Sequence, residues 1–127
     1  MARPLKNSIA VVAKNANCVL AVRRSDDDEE LPGIWGLPAG TFRDGETPAD
    51  LIRRIGNEKL GVSLSPVRKL AEGTQDRKGY RLEMTLWEVN MEGTPSRPEW
   101  QWAEVEILKP GREKGSLCCD LAGWTRG

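Results

Sequence analysis

The stretch that decides the fold runs from residue 40 to residue 62 and reads GTFRDGETPADLIRRIGNEKLGV. It opens with a glycine-containing loop, after which Thr47 can cap a helix and Pro48 suits the first helical position. Apolar residues then recur at helical spacing: Leu51, Ile52, Ile55 and Leu60. Gly61 is typical of a helix end. The stretch therefore predicts a shaped loop followed by one helix that packs on a core.

Segments on either side of this stretch have the short, apolar composition of strands. The predicted strands are residues 8–14, 18–24, 34–37, 67–72, 80–90 and 100–105, and a short helix is predicted at residues 117–124. The turn at residues 15–17 joins the first two strands into a predicted hairpin. This order of elements predicts an α/β or α+β sandwich, in which helices pack on a mixed sheet.

Length and composition limit the functions that the chain can have. We expect residues 1–127 to form a single domain, because that length is enough for one hydrophobic core. The 19 basic and 19 acidic residues balance, so no net charge favours nucleic acid or an anionic membrane as a partner. The chain has no histidine, which excludes a Ser-His-Asp triad, an imidazole acid or base and a histidine-containing zinc site.

Several features favour a cytoplasmic location. The cysteines Cys18, Cys118 and Cys119 are odd in number and lack a metal-binding spacing, so they are predicted to be reduced thiols. No stretch approaches the ~20 apolar residues of a membrane span. The apolar stretch Ile9–Ala13 ends at Lys14 and is too short for the hydrophobic region of a signal peptide, so we expect none. The acidic run at residues 25–30 is predicted to be a solvated loop.

Residues 40–62 resemble the Nudix box, G-x5-E-x7-R-E-U-x-E-E-x-G-U, in which U is a bulky aliphatic residue. Six positions match at the required spacing: Gly40, Glu46, Arg54, Glu58, Gly61 and Val62. The lead-in at residues 35–40, WGLPAG, is similar to the family's W-x-L-P-G-G, and Trp102 resembles a tryptophan of a late strand. The resemblance implies the Nudix α/β/α sandwich with a mixed β-sheet.

The resemblance also implies a chemistry, which is the metal-dependent hydrolysis of a nucleoside diphosphate linked to another group. In the family, glutamates of the box helix hold Mg²⁺ or Mn²⁺, which neutralises a diphosphate and activates water. By this resemblance, the metal-binding candidates are Glu58, Glu46 and the carbonyl of Gly40. The catalytic candidates are Glu58 and Arg54, because the arginine orients a glutamate by charge-assisted hydrogen bonds.

Two glutamates of the family pattern are absent from this box. Ile55 and Lys59 replace them, so Glu58 alone remains of the three glutamates on the helix. Ile55 can also be interpreted as a core residue that extends the apolar stripe. Lys59 should repel a cation, although it can itself pair with a phosphate. The loss of a general base typically costs ~10²–10⁴-fold in rate, so weak or absent metal binding and weak activity are expected.

Other side chains are candidates for binding substrate or for replacing the missing base. The predicted substrate-binding residues are Arg23, Arg43, Lys59 and Trp35, with Arg24 as a further candidate. The arginines can also be interpreted as plain surface charge, and Trp35 as a packing residue. The carboxylates that could serve as a base are Glu83, Glu88 and Glu99. The sequence does not choose among them.

Three hypotheses for function remain open from the sequence. The first is a Nudix pyrophosphohydrolase with a reduced magnesium site and weak activity. The second is a non-catalytic nucleotide- or ligand-binding protein on the same fold, and the third is a partner-binding domain. The expected partner is a nucleotide-like small molecule, with no nucleic acid and no membrane. The family resemblance is also compatible with a homodimer, although no segment of the chain indicates one.

Overall fold

The computed structural model describes residues 4–27, 31–77, 79–96 and 99–122. Its strands are β1 (Leu5–Asn15), β2 (Cys18–Arg23), β3 (Trp35–Gly36), β4 (Ala39–Thr41), β5 (Ser63–Arg77), β6 (Tyr80–Glu92) and β7 (Trp100–Ala103). Its helices are α1 (Pro48–Arg54), which continues as a π-helical turn (Ile55–Leu60), a 3₁₀ turn (Val105–Leu108), α2 (Lys109–Glu113) and α3 (Leu117–Ala122). None of these helices is long and apolar enough to span a bilayer.

The sheet is mixed, as the sequence predicts. Its main path has the order β3-β2-β1-β6-β5, with β4 paired to β1 and β7 paired to β2. The β1–β6 pair is parallel, whereas the pairs of β1 with β2 and with β4 are antiparallel. The long connection between two parallel neighbours contains the loop and α1, which is the arrangement that a parallel pair requires. The prediction of an α/β sandwich with a mixed sheet is therefore confirmed.

Strand β1 lies at the centre of the sandwich because it buries both of its faces. Ile9 and Val11 pack in the cluster that includes the α1 side chains Leu51 and Ile52. Ala10 and Val12 face the other way, into a cluster that α3 covers with residues such as Leu117 and Leu121. Successive residues of a strand point to opposite faces, so a continuous apolar run in β1 separates two helical layers.

Some predicted boundaries differ from those in the structure. The strand predicted at residues 67–72 is the middle of the longer β5, whose polar, mostly exposed side chains gave no strong apolar signal. No helix was predicted at residues 105–113, where a 3₁₀ turn and α2 occur, since Pro110 and Gly111 in that short segment read as loop. The predicted helix at residues 117–124 is observed over Leu117–Ala122, and its last two residues lie outside the described chain.

The helix of the Nudix box, hereafter the box helix, consists of α1 and the π-helical turn that follows it. It begins as predicted but does not continue as a regular α-helix. Thr47 caps it, and the backbone N–H of Thr47 in turn donates to Asp50 Oδ2. From Ile55 onward the helix is π-helical and ends at Gly61, which has a φ of 76°. Positions 55, 58 and 59 would share a face in an α-helix, but here Ile55 is fully buried while the other two are exposed.

Gly56 has a steric role in this turn. A Cβ atom on Gly56 would lie 2.7 Å from the carbonyl oxygen of Val62 and 2.8 Å from Cγ of Leu64. The chain entering β5 therefore passes directly against the helix backbone. This close approach explains why glycine is present despite its cost of about 1 kcal/mol in a helix interior.

Candidate functional site

A cleft of about 420 Å³ opens on the side of the sheet that α3 covers. It lies between β1, β4, β6 and the start of α3, and its basic lining residues are Lys6, Arg24, Lys59 and Arg77. Among the side chains that the structure describes, none that lines it is an aspartate or a glutamate. Four cationic side chains around one cleft produce a positive potential, and a concave wall of low dielectric strengthens that potential. The cleft is therefore suited to an anionic ligand.

Lys59 reaches this cleft from the π-helical turn. Its ammonium donates a hydrogen bond to the carbonyl oxygen of Ala39, next to Gly40 in β4. The side chain is exposed as a whole, yet its ammonium end lies against the protein. Burial of that end, followed by the charges of Arg54 and Arg24, lowers the pKa of Lys59 from its usual value. The negative charge of an anion bound beside the ammonium would act in the opposite direction and raise the pKa of Lys59.

The loop before α1 is fixed by a pair between Glu46 and Arg54. Arg54 Nε donates to Glu46 Oε2 at 2.8 Å, and Arg54 Nη2 donates to Glu46 Oε1 at 2.9 Å. The same Nη2 donates to the carbonyl of Thr41 at 2.6 Å. These hydrogen bonds from Arg54, together with one from the backbone N–H of Arg43, lower the pKa of Glu46 to about 2. The pair therefore ties β4, the loop and the helix together.

Glu58 is held on the solvent side by the loop residue Arg43. Arg43 Nη2 lies 3.3 Å from Glu58 Oε1, and Arg43 Nη1 lies 3.5 Å from Glu58 Oε2. More than half of each side chain is exposed, at 63% for Arg43 and 53% for Glu58. Exposed pairs of this kind contribute little to stability because solvent screens them. The contact orients Glu58 without holding it firmly.

Comparison with known proteins decides the family. A model of the NUDIX domain matches residues 4–116. The chain belongs to the Nudix family. This confirms the family that the sequence resemblance indicates.

Individual Nudix relatives are distant in sequence. Low-salt glycan biosynthesis protein Agl8 of Haloferax volcanii is 25% identical to this chain over 118 residues, which is 87% of this chain and 74% of that protein. A NUDIX hydrolase structure from Nitrosomonas europaea has a TM-score of 0.78 at 14% identity, covering 96% of this chain and 88% of that one. The MutT protein of Methanosarcina mazei has a TM-score of 0.74 at 16% identity, covering 99% and 96%. At these identities, the two structures show the Nudix fold alone.

The Nudix resemblance implies Mg²⁺ or Mn²⁺, but the residues present do not fit such an ion in this arrangement. Both oxygens of Glu46 accept hydrogen bonds from Arg54, and both oxygens of Glu58 face Arg43. Within the described ranges, no three acidic or cysteine side chains form a group that could hold a metal. Hard divalent ions need several oxygen ligands. At position 59, where the family pattern has a glutamate, this chain has a lysine, which adds a positive charge beside Gly40.

Position 55 contributes to the core and not to the cleft. Ile55 has an exposed fraction of 0%, which supports its interpretation as a core residue. Its Cγ1 atom would lie 3.0 Å from a Cβ atom placed on Gly40, and Leu51 Cδ1 would lie 3.3 Å from the same point. Glycine at position 40 is therefore needed for this helix to pack on β4, whether or not its carbonyl contacts a ligand.

The other predicted site residues are not gathered in the cleft. Arg23 pairs with Asp26 at 2.7 Å and with Glu99 at 3.6 Å, while the neighbouring Arg24 lines the cleft. Trp35 lies in β3, where its carbonyl accepts from the thiol of Cys119 at 3.6 Å. The structure thus brings together Gly40 and Lys59 from the predicted set, with Arg24 beside them.

The candidate bases lie away from the cleft. Glu88 pairs with Lys14 at 3.8 Å and with Arg68 at 3.2 Å. Glu99 pairs with Arg23, as described above. Glu83 alternates with the cleft-lining residues of β6 and so belongs to the opposite face of the strand. None of the described side chains that line the cleft is a carboxylate that could act as the base.

Sequence reasoning missed several residues that form the cleft. Lys6 and Ser8 of β1 and Tyr80 of β6 line it, and the buried Cys118 contributes to its wall. Lys6 and Ser8 precede Ala10 at intervals of two, so strand alternation could have placed them on one face. Tyr80 and Cys118 gave no such signal, because their position depends on strand pairing and on the docking of α3.

Proposed function

We propose that this Nudix-family chain binds a phosphate-bearing, nucleotide-like small molecule in the basic cleft without requiring a divalent cation. The observation that carries the proposal is the position of Lys59. Its ammonium lies beside Gly40, in a cleft with three further cations and no lining carboxylate in the described chain. In this account, Lys59 and Arg24 supply the positive charge that binds phosphate.

Binding without efficient hydrolysis is the function that this geometry supports best. A hydrolase needs a base within hydrogen-bond reach of the attacking water. Position 55 carries a buried isoleucine, and the carboxylates of Glu88 and Glu99 are held elsewhere by basic side chains. The ammonium of Lys59 can bind a phosphate, but a protonated amine cannot accept a proton from water. We therefore expect a ligand to be retained intact.

Weak metal-dependent pyrophosphohydrolysis is the second candidate, and one observation favours it. The contact between Arg43 and Glu58 is long and exposed, at 3.3 and 3.5 Å, so a divalent cation could compete with Arg43 for that carboxylate at little cost. The Glu46–Arg54 pair, which shapes the loop, is also intact. Such an enzyme would be expected to be slow, because the base is absent.

Titration calorimetry in EDTA tests the proposal. Wild-type protein should bind ADP, and Lys59→Ala should weaken the binding at least roughly tenfold through the loss of a charge-assisted contact. Lys109→Ala, an exposed lysine of α2 away from the cleft, is the matched control and should bind like wild type. Failure of wild-type protein to bind ADP or other nucleoside diphosphates in EDTA would overturn the proposal.

Phosphate release separates the two candidates. Nucleoside triphosphates, nucleotide sugars and dinucleotide polyphosphates should show no turnover with Mg²⁺ or Mn²⁺ above that of Glu58→Gln. Turnover that disappears in Glu58→Gln would establish the hydrolase instead, with Glu58 as its metal-binding or catalytic carboxylate.

A further inference from the structure

The basic cleft has a second cationic end, away from Lys59. The Nζ atom of Lys6 lies 4.9 Å from the centre of the Tyr80 ring. Arg77, which also lines the cleft, is the strand partner of Tyr80 at the end of the β5–β6 pair. The ring keeps the ammonium of Lys6 at the rim by a cation–π contact, and such a contact does not neutralise the charge.

The strand register separates this end from the end that contains Lys59. Lys6 of β1 is opposite Leu82, whereas Ala10 of β1 is opposite Ala39, whose carbonyl accepts the hydrogen bond from Lys59. Four residues of an extended strand correspond to about 13 Å. The long lysine side chains can shorten the distance between the two ammonium groups. The charge of Lys6 still lowers the pKa of Lys59, although less than the charge of Arg24 does.

The part of the cleft between the two ends is uncharged. Ser8 and Thr41 face each other there, with their hydroxyl oxygens 3.2 Å apart. Met84 of β6 is the strand partner of Ser8 on the other side and also lines the cleft. A ligand with two anionic groups on either side of an uncharged, polar part would therefore match this arrangement, with one anionic group at each cationic end.

We infer that the ligand of this cleft carries two separated phosphate groups: a diphosphate at Lys59 and Arg24, and a second phosphate at Lys6 and Arg77. The inference rests on the proposed function and names the class of ligand. That class is a nucleotide with a phosphate on its ribose in addition to its diphosphate. The sugar and its substituents would lie over the hydroxyl groups of Ser8 and Thr41.

A pair of ligands that differ by one phosphate tests this inference. ADP and adenosine 3′-phosphate 5′-diphosphate are titrated into the protein in EDTA by calorimetry. In the wild type, the additional phosphate should tighten binding roughly tenfold, as expected for a charge-assisted contact. In Lys6→Ala, this gain, taken as the ratio of the two affinities measured for that variant, should fall below about twofold. Lys6 is exposed, so the substitution should not disturb the fold.

Lys14→Ala is the matched control because Lys14 lies on the same strand, is also exposed and does not line the cleft. It should retain the full gain from the additional phosphate. If the wild type binds ADP and adenosine 3′-phosphate 5′-diphosphate with equal affinity, the inference is overturned and the proposed function remains intact. An equal gain in Lys6→Ala would do the same. If neither nucleotide binds in EDTA, the proposed function fails and the inference fails with it.

Discussion

The two halves of the box helix differ in what their side chains contact. In the α-helical half, Thr47 and Asp50 form the cap, and Arg54 holds Glu46 and the carbonyl of Thr41. These contacts shape the loop, and two of the residues that make them, Glu46 and Arg54, match the Nudix pattern. The π-helical half contains the departures: Ile55 is buried, and Lys59 points to the cleft.

This difference indicates that the scaffold and the chemistry of a Nudix helix depend on separate residues. The first half can fix the loop whatever ligand the cleft receives, because its contacts are internal. The second half determines whether the cleft offers carboxylates or an ammonium. A chain can therefore keep the fold while the charge of its site is reversed. The predictions below test how separate the two halves are.

The largest effect is expected from Ile55→Glu, which places a carboxylate where the family has one. Ile55 is fully buried among apolar residues, including Leu51 and Ile52. An unpaired charge there should lower the free energy of unfolding by about 3–5 kcal/mol, measured by urea denaturation. Asn57→Glu is the control on the exposed side of the same turn and should change it by less than about 0.5 kcal/mol. A small loss in Ile55→Glu would mean that position 55 can reach the cleft.

Gly56→Ala should have the next largest effect. In an unconstrained helix this change would stabilise the protein by up to about 1 kcal/mol. Here the new methyl group would meet the carbonyl of Val62 at 2.7 Å, so we expect a loss of about 1–3 kcal/mol from overpacking. Chemical denaturation measures the effect, and Asn57→Ala serves as the control that should not destabilise. A stabilised Gly56→Ala variant would show that the start of β5 is free to move.

Acid unfolding should reveal the contribution of the Glu46–Arg54 pair, whose arginine belongs to the α-helical half of the box helix. The pKa of Glu46 falls from 4.5 to about 2, chiefly because Arg54 donates hydrogen bonds to it. A carboxyl group whose pKa is lowered by folding stabilises the fold at pH values above its pKa in the unfolded state. This contribution is lost as the pH falls from about 4.5 toward 2. Measured by unfolding at each pH, stability should decline less steeply in this window for Glu46→Gln and for Arg54→Gln. A slope equal to that of the wild type would contradict the pairing.

Glu58→Gln should have the smallest effect on stability. The Arg43–Glu58 pair is exposed, so its loss should cost less than about 1 kcal/mol. ADP affinity in EDTA should also be unchanged, because Glu58 does not line the cleft. A clear loss of affinity, measured by calorimetry, would place Glu58 in the ligand site and weaken the contrast between the two halves.

Much of the fold could be predicted from the sequence because local signals were strong. The cap at Thr47, the stop at Gly61 and the apolar run in β1 each determine local structure through nearby residues. The π-helical turn was not predicted, and the approach of β5 to Gly56 within it is a tertiary contact that the local sequence does not specify. Helix α2 was missed because Pro110 and Gly111 are usually loop signals.

The candidate site could be predicted only in part. The box identified Lys59 and Gly40, and both line the cleft. The second cationic end could not be predicted because it depends on the pairing of β1 with β6. That pairing places Lys6 next to Tyr80, although the two residues are 74 positions apart in the sequence. The sequence also could not distinguish the roles of two neighbouring arginines: Arg24 lines the cleft, whereas Arg23 pairs with Asp26.

The sign of the magnesium effect on ADP affinity tests the central claim most directly. Calorimetry would compare wild-type protein with Lys59→Glu, first in EDTA and then in excess Mg²⁺. If Lys59 supplies the charge that binds phosphate, wild-type affinity should be the same or weaker with Mg²⁺, because the ion neutralises the nucleotide. Lys59→Glu should bind ADP only when Mg²⁺ is present. Wild-type binding that requires Mg²⁺ and disappears in EDTA would contradict the account.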